Sequence, residues 1–240
     1  MLDKIQLDKV LFLDIETVPE TYSFEDVDDK TRSLFEAKTK WLNKDDVGYE
    51  HTYNDRAGIY AEFGKIVCIS VGFVTSTSTG NQIRMKSFYH EDEETLLLQF
   101  KRLLDDHYNT PFHLLCGHNA KEFDFPYICR RMLIHGIKLP VILNIAGKKP
   151  WEIAHIDTME LWKFGDFKAY TSLALLCHVF KIPTPKDDIS GADVARVYYE
   201  EKDLERIRVY CEKDVVALIQ LFIKMGGGEL IPESEIHYPE

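Results

Sequence analysis

One stretch near the start of the chain limits the folds available to it. Residues 9–17 read KVLFLDIET, an almost unbroken apolar run that ends in two acids separated by one residue. Such a run is typical of a strand that is buried on both faces, at the centre of a sheet. The sequence therefore predicts an α/β protein whose central strand is residues 9–17 and is ended by Pro19.

The two acids at the end of this run are Asp14 and Glu16. Because successive side chains of a strand point to opposite faces, both carboxylates project on the same side, about 7 Å apart along the strand. Carboxylates aimed together repel each other, and a divalent cation removes that repulsion. Most Asp-x-Glu pairs are nevertheless solvated strand ends, so the pair is informative only if other residues converge on it.

The pattern after the first strand predicts a five-stranded mixed sheet. Strands at residues 9–17, 65–74 and 82–89 are joined by short connections and form an antiparallel meander. Strands at 112–116 and 152–157 alternate with helices, which favours parallel pairing through right-handed crossovers. Helices are predicted at residues 28–41, 92–107, 123–135, 172–180, 191–199 and 203–224. This order of elements is that of the ribonuclease H-like fold.

The 240 residues are sufficient for one large core, so we expect residues 1–240 to form a single domain. Residues 20–63 are rich in acids and tyrosines. Helical spacing within them, opened by Asp28 or Asp29, indicates a helical insertion that packs on this domain.

Composition and charge exclude several classes of protein. Apolar residues at 45% are typical of a globular chain, and the five scattered cysteines indicate reduced core thiols in the cytoplasm. No apolar stretch approaches the roughly 18 residues of a membrane span. The net charge of −11 disfavours a protein that neutralises many phosphates of a duplex. It is compatible with an acidic metal site that acts on a short single strand.

A third acid, Asp124, lies between the fourth strand and the next helix, in the stretch GHNAKEFDFP. Loops at the carboxyl ends of strands are where α/β sheets place their ligands. Two simpler roles remain open, with Asp124 as a helix cap and Asn119 as a turn residue.

The last predicted helix carries Tyr210 and Asp214, which lie on one face because they are four residues apart. Both are expected at the margin of an apolar stripe. This stripe consists of Ile207, Cys211, Val215, Leu218 and Phe222. A carboxylate at the edge of a core needs a partner, and a metal ion supplies one.

These groups resemble the three Exo motifs of the DEDD superfamily of 3′→5′ exonucleases, in its Tyr-containing subgroup. The motifs are Asp14-x-Glu16, Asn119-x-x-x-Phe123-Asp124 and Tyr210-x-x-x-Asp214. The flanking segments FLDIETVP, HNAKEFDFPYI and YCEKDV are most similar to stand-alone exonucleases related to the proofreading domain of family B DNA polymerases. Each motif alone is weak, but three in order are specific. The resemblance covers about residues 9–225, and nothing is carried over to residues 20–63.

The resemblance implies that four carboxylates bind two Mg²⁺ or Mn²⁺ ions, with Asp14 bridging them. The four are Asp14, Glu16, Asp124 and Asp214. Two divalent ions can generate a hydroxide near neutral pH and relieve the charge on the departing 3′ oxygen. Carboxylate oxygens suit these hard cations. Tyr210 is implied to orient the attacking water, because a phenol with an ordinary pKa of about 10 is a poor base at neutral pH.

The resemblance also implies that a single-stranded 3′ end enters the site. Its last base would stack near Val18 and Phe123, and the Thr17 backbone and Asn119 would contact its sugar and phosphate. Phe123 could equally be a core residue. Asp157 resembles an acid of the family, but a helix N-cap is its simpler role. Six lysines either line a strand path or form a solvated face. They are Lys148, Lys149, Lys163, Lys168, Lys181 and Lys186.

Three functions follow from these patterns. The first is a 3′→5′ exonuclease acting on single-stranded or frayed DNA, and the second is the same chemistry on RNA, since no residue identified here senses a 2′-hydroxyl. The third is a non-catalytic module that binds nucleic-acid ends or a partner protein. The set of four acids and Tyr210 favours an enzyme, because binding alone does not require all five. A role in replication or repair would need a protein partner that the sequence does not identify.

Overall fold

The computed structural model describes residues 5–43, 48–78, 80–166, 170–183 and 189–238. Within these ranges the strands are β1 (Val10–Pro19), β2 (Gly64–Thr77), β3 (Gly80–Tyr89), β4 (Leu114–Gly117), β5 (Ile156–Asp157) and β6 (Ile236–His237). They form one six-stranded sheet in the order β5-β4-β1-β2-β3-β6. The pairs β1·β2 and β2·β3 are antiparallel, whereas β1·β4, β4·β5 and β3·β6 are parallel. The predicted mixed sheet of a ribonuclease H-like fold is thus confirmed.

Helices cover both faces of this sheet. They are α1 (Asp29–Thr39), α2 (Tyr49–Arg56), α3 (Glu93–His107), α4 (Asp124–Ile134), α5 (Thr158–Lys163), α6 (Leu173–Phe180), α7 (Val194–Arg196) and α8 (Leu204–Met225). The buried side chains of α3 and α4 share one core with the sheet, and those of α8 share another on the opposite face. No helix in the described ranges is both long and apolar enough to cross a bilayer.

The alternation of side chains along β1 determines where its acids point. Leu11 and Leu13 pack in the core with α3 and α4, whereas Phe12 packs in the core with α8. Asp14 and Glu16 continue the alternation on the face of Phe12, so their carboxylates are directed towards α8. The register with β2 shifts between Glu16 and Thr17. Such bulges bend a strand and are frequent beside active sites.

Most predicted elements are confirmed to within a few residues at each end. The helix predicted at residues 28–41 is α1, and Asp28 is its N-cap, because the Asp28 carboxylate accepts hydrogen bonds from the backbone N–H groups of Lys30 and Thr31 at 3.1 Å. The helices predicted at 92–107, 123–135, 172–180 and 203–224 are α3, α4, α6 and α8. All five cysteines are buried and free.

Four local predictions are corrected. Strand β4 begins at Leu114, and Phe112 is 77% exposed ahead of it. Strand β5 has only two residues, since Glu152 ends a 3₁₀ turn and residues 153–155 are in neither a helix nor a strand. The helix predicted at 191–199 is a succession of a 3₁₀ turn, the short α7 and a π-helical turn at residues 197–201. The sixth strand, β6, was not predicted, since two residues carry no periodic signal.

Residues 20–63 contain α1 and α2, with residues 44–47 outside the described ranges. Helix α2 was not predicted, because Tyr53 is its one buried residue and its sequence shows no apolar stripe. Tyr53 packs edge-on against Phe35 of α1, with ring centroids 5.0 Å apart. Its hydroxyl donates a hydrogen bond to the carbonyl of Thr21 at 2.8 Å. Tertiary packing therefore stabilises this helix rather than its own propensity.

Candidate functional site

The acids of β1 lie in a crowded carboxylate environment. Glu16 is buried and Asp14 is half-buried. Burial raises the pKa of Asp14 well above its ordinary range, and the charges of Asp124, Glu16 and Asp214 raise it further. The pKa of Glu16 is also raised, first by burial and then by Asp214. The structure therefore brings together the four acids that the sequence motifs singled out.

Asp124 is the first residue of α4 and is 4% exposed. Burial, followed by the negative charge of Asp157, raises its pKa to about 7, and the backbone N–H groups of Asp124 itself and of Ile15 oppose the rise. The Ile15 backbone therefore lies close to the Asp124 carboxyl, which places this carboxyl beside the two acids of the strand. The helix-cap alternative is not observed, because the residue preceding α4 is Phe123 and no side chain caps the helix there.

Helix α8 contributes Tyr210 and Asp214 from the margin of its buried stripe, as predicted. Both are half-buried, whereas the five stripe residues are no more than 3% exposed. Burial raises the pKa of Tyr210, followed by the charge of Asp214 and a hydrogen bond with it. The Tyr210 phenol is therefore protonated at neutral pH and donates its one O–H to Asp214, which leaves its oxygen lone pairs as acceptors.

Cys211 is a site residue that the sequence did not reveal. Its sulfur lies 3.6 Å from the Asp14 carboxylate Oδ2 and 3.4 Å from the Asp14 carbonyl oxygen. Potential ligand atoms of Asp14, Glu16 and Cys211 all lie within 4.8 Å of one another. Burial raises the pKa of Cys211, so it is a neutral thiol that donates to Asp14. On the apolar stripe of α8 it was interpreted only as a core thiol, because no sequence signal separates the two roles.

The donor set fits a hard divalent cation. Several buried carboxylates with raised pKa values lie close to one another. Their mutual repulsion is relieved only when they are protonated or when a cation binds between them. Oxygen ligands with hard character are those that Mg²⁺ and Mn²⁺ prefer. A protonated Cys211 is not a thiolate ligand, so it does not favour a thiol-seeking metal.

Asp157 fixes the loop that leads to Asp124. It is 2% exposed, and its carboxylate caps α5 by accepting hydrogen bonds from the N–H groups of Met159 at 3.0 Å and Glu160 at 3.3 Å. It also accepts from the N–H groups of Asn119 at 2.9 Å and Lys121 at 3.0 Å. The predicted N-cap is confirmed, and the same carboxylate joins α5 to the loop before α4.

Asn119 adopts a left-handed backbone conformation, with φ of +62°. This is a turn conformation that asparagine tolerates better than most residues. Its side-chain Oδ1 is buried and accepts no hydrogen bond from any residue in the described ranges. Such an orphaned acceptor in a rigid turn is a candidate contact for a ligand.

A cavity of about 490 Å³ adjoins the acids and is lined by Glu16, Thr17 and Phe123. Phe123 is half-buried and also packs on Tyr127, with ring centroids 5.3 Å apart, so it belongs to both the core and the cavity wall. Val18 is 0% exposed in the core beside α8. It therefore does not offer the stacking surface we expected, because its side chain is covered on all sides.

None of the four described lysines of the predicted basic region lines this cavity. Lys148, Lys149 and Lys181 are exposed and Lys163 is half-buried, while Lys168 and Lys186 lie outside the described residues. A larger cavity of about 940 Å³ lies at the β5 edge of the sheet, where Trp151 and Phe180 are among its lining residues. It contains none of the four converging acids.

Comparisons with known proteins relate this chain to exonucleases. Residues 59–231 match the sequence profile of a family described as "Predicted 3'-5' exonuclease related to the exonuclease domain of PolB". The match includes Asp124, Tyr210 and Asp214 and excludes Asp14 and Glu16. No curated protein matches the chain.

Among solved structures, the family B DNA polymerase of the hyperthermophilic archaeon Pyrobaculum calidifontis is similar, with a TM-score of 0.54 and 16% sequence identity. The alignment covers 90% of this chain and 24% of the polymerase, so the chain spans about a quarter of that protein. At this identity the likeness shows the fold alone.

Proposed function

Because this chain belongs to the family of predicted 3′-5′ exonucleases related to the exonuclease domain of PolB, we propose that it is a metal-dependent 3′→5′ exonuclease of the Tyr-containing DEDD type. Its substrate is single-stranded or frayed DNA. The observation that carries the proposal is the convergence of carboxylates on Asp14, whose pKa is raised by burial and by the three other acids. We further propose that residues 1–240 form one exonuclease domain, with residues 20–63 packed on it.

Asp14, Glu16, Asp124 and Asp214 would hold two divalent ions, Mg²⁺ or Mn²⁺. Bound there, such ions lower the pKa of a water molecule and stabilise charge on the leaving 3′ oxygen. The protein's own contribution is to hold these carboxylates in place. The Ile15 backbone lies close to the Asp124 carboxyl, and the Cys211 thiol donates to the Asp14 carboxylate.

Tyr210 would orient the attacking water rather than deprotonate it. Its raised pKa keeps the phenol protonated, and its hydrogen bond with Asp214 directs it towards the acids. With its O–H given to Asp214, the phenol oxygen can accept a hydrogen bond from the water and hold it in line with the scissile phosphate, which lowers the entropic part of the barrier.

The substrate end would occupy the cavity beside Glu16. Phe123 offers a face to the terminal base, and stacking on it tolerates any sequence. Thr17 would contact the sugar and phosphate through its backbone, and Asn119, whose orphaned Oδ1 is buried outside the cavity lining, would contact them too.

The test is incubation with 5′-labelled single strands of DNA and RNA in Mg²⁺ or Mn²⁺, with and without EDTA. We expect stepwise shortening of DNA from the 3′ end, and its loss with EDTA and in Asp14→Ala. Asp92→Ala is the matched control, because Asp92 is an exposed N-cap of α3 away from the site.

Unchanged strands, or equal degradation by Asp14→Ala, would contradict the proposal in favour of a binding module. Faster shortening of RNA than of DNA would reassign the substrate while leaving the chemistry in place.

A further inference from the structure

The turn at residues 57–59, at the end of the 20–63 insertion, is held rigidly against the sheet. Ala57 is 0% exposed, and the Tyr127 hydroxyl donates a hydrogen bond to the Gly58 carbonyl at 2.8 Å. Gly58 is so close to β1 that a Cβ atom there would lie 3.3 Å from the Pro19 ring. The direction in which the next side chain projects is therefore set by packing.

That next residue, Ile59, is 42% exposed and lines the cavity beside the acids, together with Glu16 and Phe123. Isolated exposed apolar residues are common and need no explanation. Ile59 differs because a rigid turn holds it at a cavity that also contains a catalytic carboxylate and an aromatic face. An apolar wall in this place suits the face of a base.

Arg56, at the end of α2, also lines the cavity and is exposed. It is the one basic side chain among the described lining residues. Next to carboxylates, an anionic substrate is repelled unless a cation offsets the repulsion. A guanidinium is suited to a phosphate because its planar fork matches the phosphate oxygens.

The remaining wall includes the small residues Gly191, Ala192 and Ala195, together with Asn54 and Asp55. The cavity volume of about 490 Å³ lies in the range of sites for small molecules, roughly 300–1,000 Å³.

We propose that the 20–63 insertion supplies the wall that recognises the 3′-terminal nucleotide, with Ile59 contacting the base and Arg56 contacting the phosphate. This inference rests on the proposed exonuclease function and extends it to substrate binding.

The first experiment compares Ile59→Gln with Leu34→Gln, which also replaces an exposed aliphatic residue by glutamine, on α1 in the same segment. Ile59→Gln is expected to raise KM for a single-stranded DNA roughly tenfold while kcat is retained. Ile59→Leu restores the wild-type KM, and Leu34→Gln leaves it unchanged. With a strand that ends in an abasic 3′ nucleotide, the wild-type KM rises and Ile59→Gln raises it no further.

The second experiment compares Arg56→Gln with Arg102→Gln, a change at an exposed position on α3. Loss of one phosphate contact is expected to lower the slope of log KM against log salt by about 0.7 for Arg56→Gln alone. Unchanged KM values in both Ile59→Gln and Arg56→Gln, in a protein that shortens DNA, would overturn the inference and leave the proposed function intact. A wild-type protein that shortens neither DNA nor RNA would instead refute the proposed function, and this inference with it.

Discussion

The thiol of Cys211 donates a hydrogen bond to the carboxylate of Asp14 across 3.6 Å, although the two residues are 197 positions apart in the chain. The contact joins α8 to β1 at Asp14, the acid whose pKa is raised by the charges of three other carboxylates. A donor to the ionised form opposes the rise in the pKa of Asp14 that burial and the other acids cause. Cys211 is therefore a positioning residue for Asp14.

Cys211→Ala is predicted to weaken Mn²⁺ binding several-fold at pH 7, because the proton then competes more strongly for Asp14. Cys211→Ser keeps a donor and should retain most of the affinity. Calorimetric titration at pH 7 and pH 8 measures the effect, which should shrink at the higher pH. Cys129→Ala is the control, since the Cys129 thiol donates to the Leu143 carbonyl away from the acids. Equal weakening in both alanine variants would contradict the prediction.

Asp14→Asn is predicted to lower cleavage by at least about a hundredfold and to leave the fold intact. The metal-free variant should be no less stable than the wild type at pH 8. The substitution removes one of four mutually repelling carboxylates, and asparagine fills nearly the same volume as aspartate. Thermal unfolding in EDTA, together with the cleavage rate, checks both parts. A variant that unfolds in EDTA at a markedly lower temperature would show that Asp14 has a structural role.

The metal-free protein is predicted to lose stability as the pH rises from 5 to 8. Burial raises the pKa of Asp124 from 3.8 to about 7, so in this window the folded state binds more protons than the unfolded state. Asp14 and Glu16 act in the same direction. Melting temperatures in EDTA should therefore fall with pH more steeply in the wild type than in Asp124→Asn, and Mn²⁺ should restore stability at pH 8. Parallel curves for the two proteins would contradict this linkage.

Asp157→Ala is predicted to reduce stability by about 2–4 kcal/mol, because four backbone N–H groups lose a charged acceptor. Cleavage should also fall at temperatures where the variant is folded, since the loop before Asp124 is no longer anchored. Urea unfolding and kcat measure the two effects. Asp92→Ala, which removes the cap of α3, should reduce stability to a smaller extent and leave kcat unchanged. Equal kcat in both variants would limit Asp157 to a structural role.

Arg131→Met is predicted to reduce stability by about 3–5 kcal/mol, because it leaves the buried Glu93 carboxylate without its cation. Arg131 also donates to the carbonyl of Ala61 at 2.9 Å and pairs with Glu20 at 3.1 Å. It thereby ties both ends of the 20–63 insertion to α4. The double variant Arg131→Met/Glu93→Leu should recover part of the loss in urea unfolding. No recovery would indicate that the pair stabilises the fold through its geometry rather than through charge compensation.

Local periodicity was sufficient to predict most elements of this fold. The apolar run at residues 9–17 identified β1, and spacing along α8 placed Tyr210 and Asp214 at the margin of a buried stripe. The same reasoning missed α2 and β6, and it predicted a longer β5 than the two residues observed. These elements owe their stability to contacts with distant residues, which leave no periodic pattern in the sequence.

The sequence by itself determined that Asp14 and Glu16 share one face of a strand, because strand side chains two positions apart point the same way. It likewise determined that Tyr210 and Asp214 share one face of a helix, because they are four positions apart. Only the tertiary structure decided what surrounds those acids. The thiol of Cys211 at Asp14, the carboxylate of Asp157 under the loop, and Ile59 at the cavity wall depend on packing between elements far apart in the chain. Side-chain identity and local spacing carry no information about such contacts, so the buried Val18 and the orphaned Asn119 oxygen were equally unforeseen.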